Sequence, residues 1–282
     1  MVETGLIASR ALAYVAMLIA AGLPLHLMGA GIDARTSRWF TGVIMASVVA
    51  AVAASGFWAL QSVASMAAMP VAEINRELFW AVLGATPLGT VLAIRLVALL
   101  LALWACWRGR LGLAALAAGL ALATAAWTGH AGATEGAVGL LHRAFDVLHL
   151  LAASVWIGAI LFFVTLTFRP GSREVLAMAL RKFAVTGTVI VLVLLVTGIA
   201  NTLAIAGWPV PLDSRWTALL AVKIGLFTAM LGLAALNRWR LTPGLSAGGV
   251  AAVGALRLSL AAEMTAALAV VAVVAWLGVL AP

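Results

Sequence analysis

Charged residues are scarce in this sequence, and cysteine is almost absent. Only 9% of the 282 residues are Asp, Glu, Lys or Arg, against about 25% in ordinary soluble domains. Together with a hydrophobic content of 65%, this shortage excludes a soluble globular protein. The single cysteine, Cys106, excludes an internal disulfide and any paired-cysteine metal clip. The sequence has no ATP-binding motif, and we expect a protein that is not an enzyme.

Long apolar runs predict the fold class. About 20 consecutive apolar residues cross the hydrocarbon core of a bilayer. Eight such runs are present, at 7–28, 39–65, 88–107, 111–128, 138–168, 183–206, 216–236 and 256–280. The sequence therefore predicts an all-α, polytopic membrane protein with eight transmembrane helices surrounded by membrane lipid. The first run lacks the flanks of a cleaved signal peptide, so we expect it to be retained.

The basic residues predict how the helices are oriented. The net charge of +8 is spread over the ends of the spans, which is typical of membrane orientation and argues against nucleic-acid binding. One side holds the larger group: Arg35, Arg38, Arg108, Arg110, Arg169, Arg173, Arg181, Lys182, Arg238, Arg240 and Arg257. The other side holds Arg10, Arg76, Arg95, Arg143, Arg215 and Lys223. The larger group predicts the cytoplasmic side, which places both termini in the periplasm.

The two halves of the chain resemble each other. The segment SRALAYVAMLIAA in the first span aligns with HRAFDVLHLLAAS in the fifth, and a second alignment places Arg95 opposite Lys223. We therefore expect two parallel four-helix repeats, 1–128 and 129–282. Where the second half has two histidines and an aspartate, the first half has Ser9, Ala13 and Ala16. Because the scaffold accepts small residues there, the polar side chains indicate chemistry rather than architecture.

Three of the four histidines cluster around the start of the fifth span. His142, Asp146 and His149 are spaced i, i+4 and i+7, which places them on one stripe of a helix. His130 lies just before that helix. Ionisable groups inside a membrane are costly and indicate function, and nitrogen with carboxylate ligands suits Cu(II), Ni(II) or Zn(II). We predict a metal site at the outer mouth of the bundle. The alternative is that Asp146 only orients His149 through a hydrogen bond.

Further polar side chains predict a path across the second half. The string of polar groups from the outer to the inner side includes Lys223, Asn201 and Glu263, and Trp156, on the His149 stripe, could wall the site. Hydrogen bonding between helices is the competing explanation for these groups. Met66 and Met69 in the long outer loop could relay soft Cu(I), although methionine also fills irregular gaps in apolar packing.

Several short motifs resemble the copper resistance D family of bacterial inner-membrane proteins. They are Gly129-His130-Ala131, Asp146-x-x-His149, Trp156-x-Gly158, Thr197-Gly198 with Asn201, the Lys223 helix ending at Asn237-Arg238, and Arg257-Leu258-Ser259 before Glu263. The resemblance implies that the chain moves copper, as Cu⁺ or Cu²⁺, across the cytoplasmic membrane. It also implies a copper site of His130, Asp146 and His149, with His142 as a further member. A separate periplasmic copper-binding protein of the C type is the implied partner.

Two other functions stand beside copper transport. The bundle could hold haem b for electron transfer, with His130 and His149 as the axial ligands. It could also be an assembly factor that delivers copper to another membrane enzyme without transporting it. The crowding of candidate ligands at the periplasmic side slightly favours uptake over export. The sequence leaves the oligomeric state and any coupling ion open.

Overall fold

The computed structural model describes residues 2–32, 38–169, 171, 173–246 and 250–282. Within these ranges the chain is helical and contains no strand, so the all-α prediction is confirmed. Arg35, which contributes to the predicted orientation, lies outside the described residues. We call the end of the bundle where α7 begins the outer end, and the opposite end the inner end.

The described helices follow one another with short connections. They are α1 (Val2–Gly29), α2 (Arg38–Met66), α3 (Arg76–Ala85), α4 (Pro87–Trp107), α5 (Leu111–Ala123), α6 (His130–Ala133), α7 (Gly136–Thr167), α8 (Arg173–Ala206), α9 (Arg215–Leu236), α10 (Thr242–Ser246) and α11 (Val250–Leu277). Short 3₁₀ turns cover Val71–Glu73 and Thr124–Trp127, and a π-helical segment, Asn237–Leu241, joins α9 to α10.

Seven of the described helical segments are long and apolar enough to cross a membrane. They are α1, α2, α4, α7, α8, α11 and the segment Arg215–Leu245, which runs from α9 into α10. The fourth of the eight predicted spans is a shorter apolar helix, Leu111–Trp127. Its regular part, α5, has 13 residues and therefore a length of about 20 Å, less than the roughly 30 Å of the hydrocarbon core.

The sixth predicted span begins earlier than expected. Helix α8 starts at Arg173, well before the apolar run at 183–206, because the helix continues through Arg181 and Lys182. Hydropathy shows where a segment becomes apolar. A helix, in contrast, extends as far as its backbone hydrogen bonds continue, so it can begin before the apolar run. The outer loop is also ordered: Asn75 accepts a hydrogen bond from the Leu78 backbone N–H at 2.8 Å and caps α3.

Helices α1 and α7 cross closely at the centre of the bundle. A β-carbon on Gly22 would overlap the backbone carbonyl of Ser154, and one on Gly158 would overlap the backbone of Gly22 and Leu23. Glycine is required at this crossing because only a hydrogen lies between the two backbones. Helix α1 also packs against α2, α5 and α11, and α7 packs against α8 and α11. The candidate ligands therefore lie on one of the two central helices.

The second half is more open than the first. Helix α2 packs directly against α4, whereas α8 and α9 share almost no contacts among the described residues. Instead, α8 is held by α7 and α10, and α9 by α11. The resulting space between α8 and α9, which we call the α8–α9 cleft, runs beside the polar residues of the second half. The division of the chain into repeats at 1–128 and 129–282 stays a prediction.

Candidate functional site

His149 is held in a defined orientation by α8. Its Nδ1 lies 2.8 Å from the Thr197 hydroxyl, and that hydroxyl donates its only proton to the Val193 carbonyl at 2.6 Å. The imidazole must therefore be the donor, which leaves the lone pair on Nε2 free to bind a metal. A β-carbon at Gly198 would lie 3.6 Å from His149 Cε1, so a small residue there leaves room for the ring.

Asp146 is held by the same neighbouring helix. Asn201 Nδ2 donates to Asp146 Oδ1 at 3.2 Å. Asn201 Oδ1 is buried and has no partner within the described residues, which leaves an acceptor for a ligand or water. Lys223, from α9, lies close enough for its charge to act on both Asp146 and His149. These residues, with Thr197, form what we call the outer polar cluster.

The geometry answers one alternative raised by the sequence. If Asp146 served only to orient His149, the two side chains would be bonded to each other. Instead His149 is oriented by Thr197, and Asp146 bonds to Asn201. Both side chains on α7 are thus held independently, each by a neutral group on α8. Thr197 belongs to a motif that carries the family resemblance, but its role in positioning His149 was not predicted, because a threonine in a helix does not indicate its partner.

His130 and His142 form a histidine pair above this cluster. The Thr134 hydroxyl donates to the His130 backbone carbonyl at 3.0 Å and accepts from His142 Nδ1 at 2.9 Å. His130 Nε2 donates to the Leu277 carbonyl at the end of α11, at 3.1 Å. His142 is 3% exposed. The lone pairs left for a metal are therefore His142 Nε2 and His130 Nδ1.

The predicted four-residue ligand set is not brought together in this structure. The described ranges contain no group of three or more His, Cys, Asp or Glu side chains placed to hold one metal ion. The structure instead divides the four residues between the outer polar cluster and the His130–His142 pair. A shared copper site for all four stays a prediction, as does the relay by Met66 and Met69, of which Met66 is 59% exposed.

The remaining predicted path residue, Glu263, lies deeper in the second half. Trp156 Nε1 donates to Glu263 Oε1 at 2.7 Å, and Asn237 Nδ2 donates to Oε2 at 3.1 Å. These three side chains, which we call the inner polar cluster, border a cavity of about 270 Å³ in the α8–α9 cleft. Trp156 follows His149 by two helical turns on α7, about 10 Å along the axis. The two polar clusters therefore lie one above the other in the second half.

His26 lies apart from both clusters. Its ring centroid is 5.1–5.4 Å from those of Phe162, Phe163 and Phe183. The ring is 5% exposed and its Nε2 has no partner within the described residues. This aromatic setting agrees with a packed histidine rather than a ligand.

We expect Thr197→Val to weaken the binding of any metal ion held by His149 without unfolding the protein. Valine keeps the shape of threonine but cannot accept a hydrogen bond from His149 Nδ1–H, so the ring loses its fixed tautomer and orientation. Losing the group that hydrogen-bonds to the other nitrogen of a metal-binding histidine typically costs about 10–100-fold in metal affinity. Competition with a chelator on the purified protein measures the change, and Thr188→Val, on the same helix but outside the outer cluster, is the matched control. Equal affinities of both variants and the wild type would contradict the role of Thr197.

The fold and its buried polar clusters define a multi-pass helical membrane protein with polar groups between its helices. Residues 1–140 match the family described as copper resistance protein D-like, N-terminal domain. Residues 177–277 match the family described as copper resistance protein D. The chain belongs to the copper resistance protein D family, as the resemblance implied.

Two relatives show how far the similarity extends. Copper resistance protein D of Pseudomonas syringae pv. tomato is 38% identical over 216 residues, which cover 70% of this chain and 69% of that protein. Inner membrane protein YebZ of Escherichia coli K12 is 32% identical over 120 residues, covering 42% of this chain and 41% of that protein. No solved structure matches the chain.

Proposed function

We propose that the protein carries copper across the bacterial inner membrane and captures it at the outer polar cluster. The observation that carries this proposal is the orientation of His149, whose Nε2 lone pair is kept free by Thr197. Asp146 supplies a carboxylate one turn earlier on the same helix, and Asn201 Oδ1 supplies an unpartnered oxygen. Nitrogen and carboxylate donors suit Cu²⁺, and imidazole also accepts Cu⁺.

The His130–His142 pair serves as the first contact for copper in this proposal. It lies where α6 leads into α7, so copper delivered by a periplasmic protein of the C type meets these imidazoles before the outer cluster. The inner polar cluster then provides the polar groups on the way to the inner end. Uptake is the favoured direction because the histidines are gathered at the end of the bundle predicted to face the periplasm.

Copper flux into liposomes tests the proposal. The purified protein is reconstituted, copper is added outside, and entrapped copper is measured with wild type and with the Asp146→Ala, His149→Ala double variant. Transport requires flux with the wild type and its loss in the variant. Binding without flux would instead support the copper-delivery assembly factor. An intense Soret band in the purified protein would support the haem b alternative, and its absence would remove it.

Lys223 gives a sharper test, because a cation beside a metal site should oppose copper. Lys223 interacts electrostatically with Asp146 and His149, and in this proposal its charged form competes with copper for the carboxylate. We expect Lys223→Met to bind copper on the order of tenfold more tightly, equal to about 1.4 kcal/mol. We also expect slower flux, because the bound copper is no longer released by the returning ammonium.

Arg95→Met is the matched control for Lys223→Met. Arg95 is the aligned residue of the first half, but it is only 2% exposed and is enclosed between the Trp58 ring, at 4.8 Å, and the Thr124 hydroxyl, at 2.8 Å. Its replacement should leave copper affinity unchanged. If both variants change the copper affinity equally, the effect comes from removing any positive charge from the bundle, and a specific role of Lys223 is refuted.

A further inference from the structure

The inner polar cluster holds a carboxyl group that is almost completely buried. Glu263 is 3% exposed, Trp156 5% and Asn237 6%. Each carboxyl oxygen has one hydrogen-bond donor, and both donors are neutral. A group of this kind inside a membrane protein is costly and indicates a function. Copper binding at the outer cluster does not account for it, because Glu263 lies well below those ligands.

The partners of Glu263 suit both of its protonation states. Trp156 donates to Oε1 whether or not the other oxygen carries a proton. Asn237 donates through Nδ2 to Oε2, while its Oδ1 is buried with no partner within the described residues. When Oε2 is protonated, rotation of the amide presents Oδ1 as the acceptor. The same two residues can therefore stabilise a carboxylate and a carboxylic acid.

The charged groups around Glu263 are engaged elsewhere. Arg238 borders the same cavity, but its guanidinium donates to the Thr188 hydroxyl at 3.0 Å and to the Ala184 carbonyl at 3.3 Å, both on α8. On α11 itself, Arg257 bonds to Thr167. From α9, Lys223 lies in the outer polar cluster, and from α1, His26 lies behind Phe163 and Phe183. Within the described residues, no cation bonds to Glu263.

The cavity beside Glu263 extends towards the inner end of the bundle, where Leu180 and Arg238 line it. Its lining is shared in part with a second cavity of about 630 Å³, which Arg181 and Arg238 also border. Ser259, one turn from Glu263 on α11, has a buried hydroxyl without a partner in the described ranges. Asn237, whose Oδ1 is also unpartnered in those ranges, borders the cavity, and an unpartnered polar atom of this kind is where water is held inside proteins. The backbone at Asn237 is π-helical, a feature frequent at functional sites.

We propose that Glu263 is a proton-binding site that takes up and releases a proton as copper moves through the protein. The carboxylate accepts a proton from hydronium that reaches the cavity: an O–H bond forms on Glu263, the donating O–H bond of hydronium breaks, and water is left. The reverse step returns the proton from the carboxylic acid to water. The existence of the site depends on geometry alone, whereas its coupling to copper rests on the proposed transport function.

Infrared difference spectroscopy tests the site itself. Wild-type protein in lipid vesicles is stepped between acidic and alkaline buffers, and the C=O stretching band of a buried carboxylic acid is followed. We expect Glu263→Gln to lose this band and Glu174→Gln, at the exposed inner start of α8, to retain it. Trp156→Phe should retain the band at a shifted frequency, because one hydrogen bond to Oε1 is gone. An unchanged band in Glu263→Gln overturns the proposal.

Copper flux under an imposed pH gradient tests the coupling. The wild-type rate should change with the gradient, whereas Glu263→Gln should lose that dependence while binding copper as tightly as the wild type, which also shows that it is folded. Gradient-dependent flux in Glu263→Gln overturns the coupling. If the wild type moves no copper but Glu263→Gln still loses the infrared band, the proton site stands and the transport function fails.

Discussion

With copper held at the proposed outer site, replacing His149 with alanine should remove most of the copper binding. The substitution deletes the Nε2 lone pair that Thr197 keeps free, and the remaining donors of the outer polar cluster are oxygens. Oxygen ligands suit hard cations, whereas Cu²⁺ and still more Cu⁺ need nitrogen or sulfur. We expect a loss of at least about 100-fold in affinity, equivalent to about 2.7 kcal/mol. Metal analysis after dialysis and chelator competition both measure it.

His26→Phe is the matched control for this experiment. It also removes one histidine, but from a position among Phe162, Phe163 and Phe183, where a further phenylalanine preserves the aromatic packing. Copper affinity should be unchanged in this variant. Equal losses in both variants would mean that histidine content rather than the outer cluster governs binding. Unchanged affinity in His149→Ala would refute the site.

The His130–His142 pair allows the predicted ligand set to be divided experimentally. If copper is captured first at this pair, His142→Ala should slow copper loading while leaving the final affinity close to that of the wild type. If all four residues share one copper ion, as the sequence predicts, His142→Ala should lower affinity as much as His149→Ala. The two outcomes distinguish copper binding at two successive sites from copper binding at one shared site.

The placement of the candidate ligands on one helix, α7, could be predicted because two independent signals coincide there. The spacing of His142, Asp146 and His149 fixes a common stripe once the segment is helical, and α7 extends from Gly136 to Thr167 without a break. The apolar surroundings make polar residues conspicuous. Helix bounds were predicted closely wherever the apolar run and the helix coincide, as they do for α2 and α4.

What the sequence did not indicate depends on contacts between helices. The α8–α9 cleft and the hydrogen bonds of Thr197 and Asn237 are tertiary features, and neither apolar periodicity nor composition encodes them. The early start of α8 at Arg173 was missed because charged residues there lower the hydropathy but leave the helix intact. The aligned residues Arg95 and Lys223 show the same limit. Arg95 is enclosed by the Trp58 ring and the Thr124 hydroxyl, whereas Lys223 belongs to the outer polar cluster.

The close crossing of α1 and α7 leads to the largest expected effect on stability. In Gly22→Ala, the new methyl group would overlap the Ser154 carbonyl, and in Gly158→Ala it would overlap the Gly22 backbone. Backbone atoms cannot move aside as a flexible side chain can, so the two central helices must separate. We expect a loss at or above the upper end of the about 1–3 kcal/mol typical of overpacking. Thermal unfolding in detergent, followed by circular dichroism, measures it.

The matched controls are Gly225→Ala and Gly232→Ala on α9, where an added β-carbon would meet nothing within 4 Å. Alanine is the better helix former by about 1 kcal/mol, so these variants should be as stable as the wild type or slightly more stable. Because α7 also carries Asp146 and His149, Gly158→Ala should lose copper affinity along with stability, whereas the α9 controls should lose neither. A Gly158→Ala protein that unfolds and binds copper like the wild type would show that the crossing does not position the outer cluster.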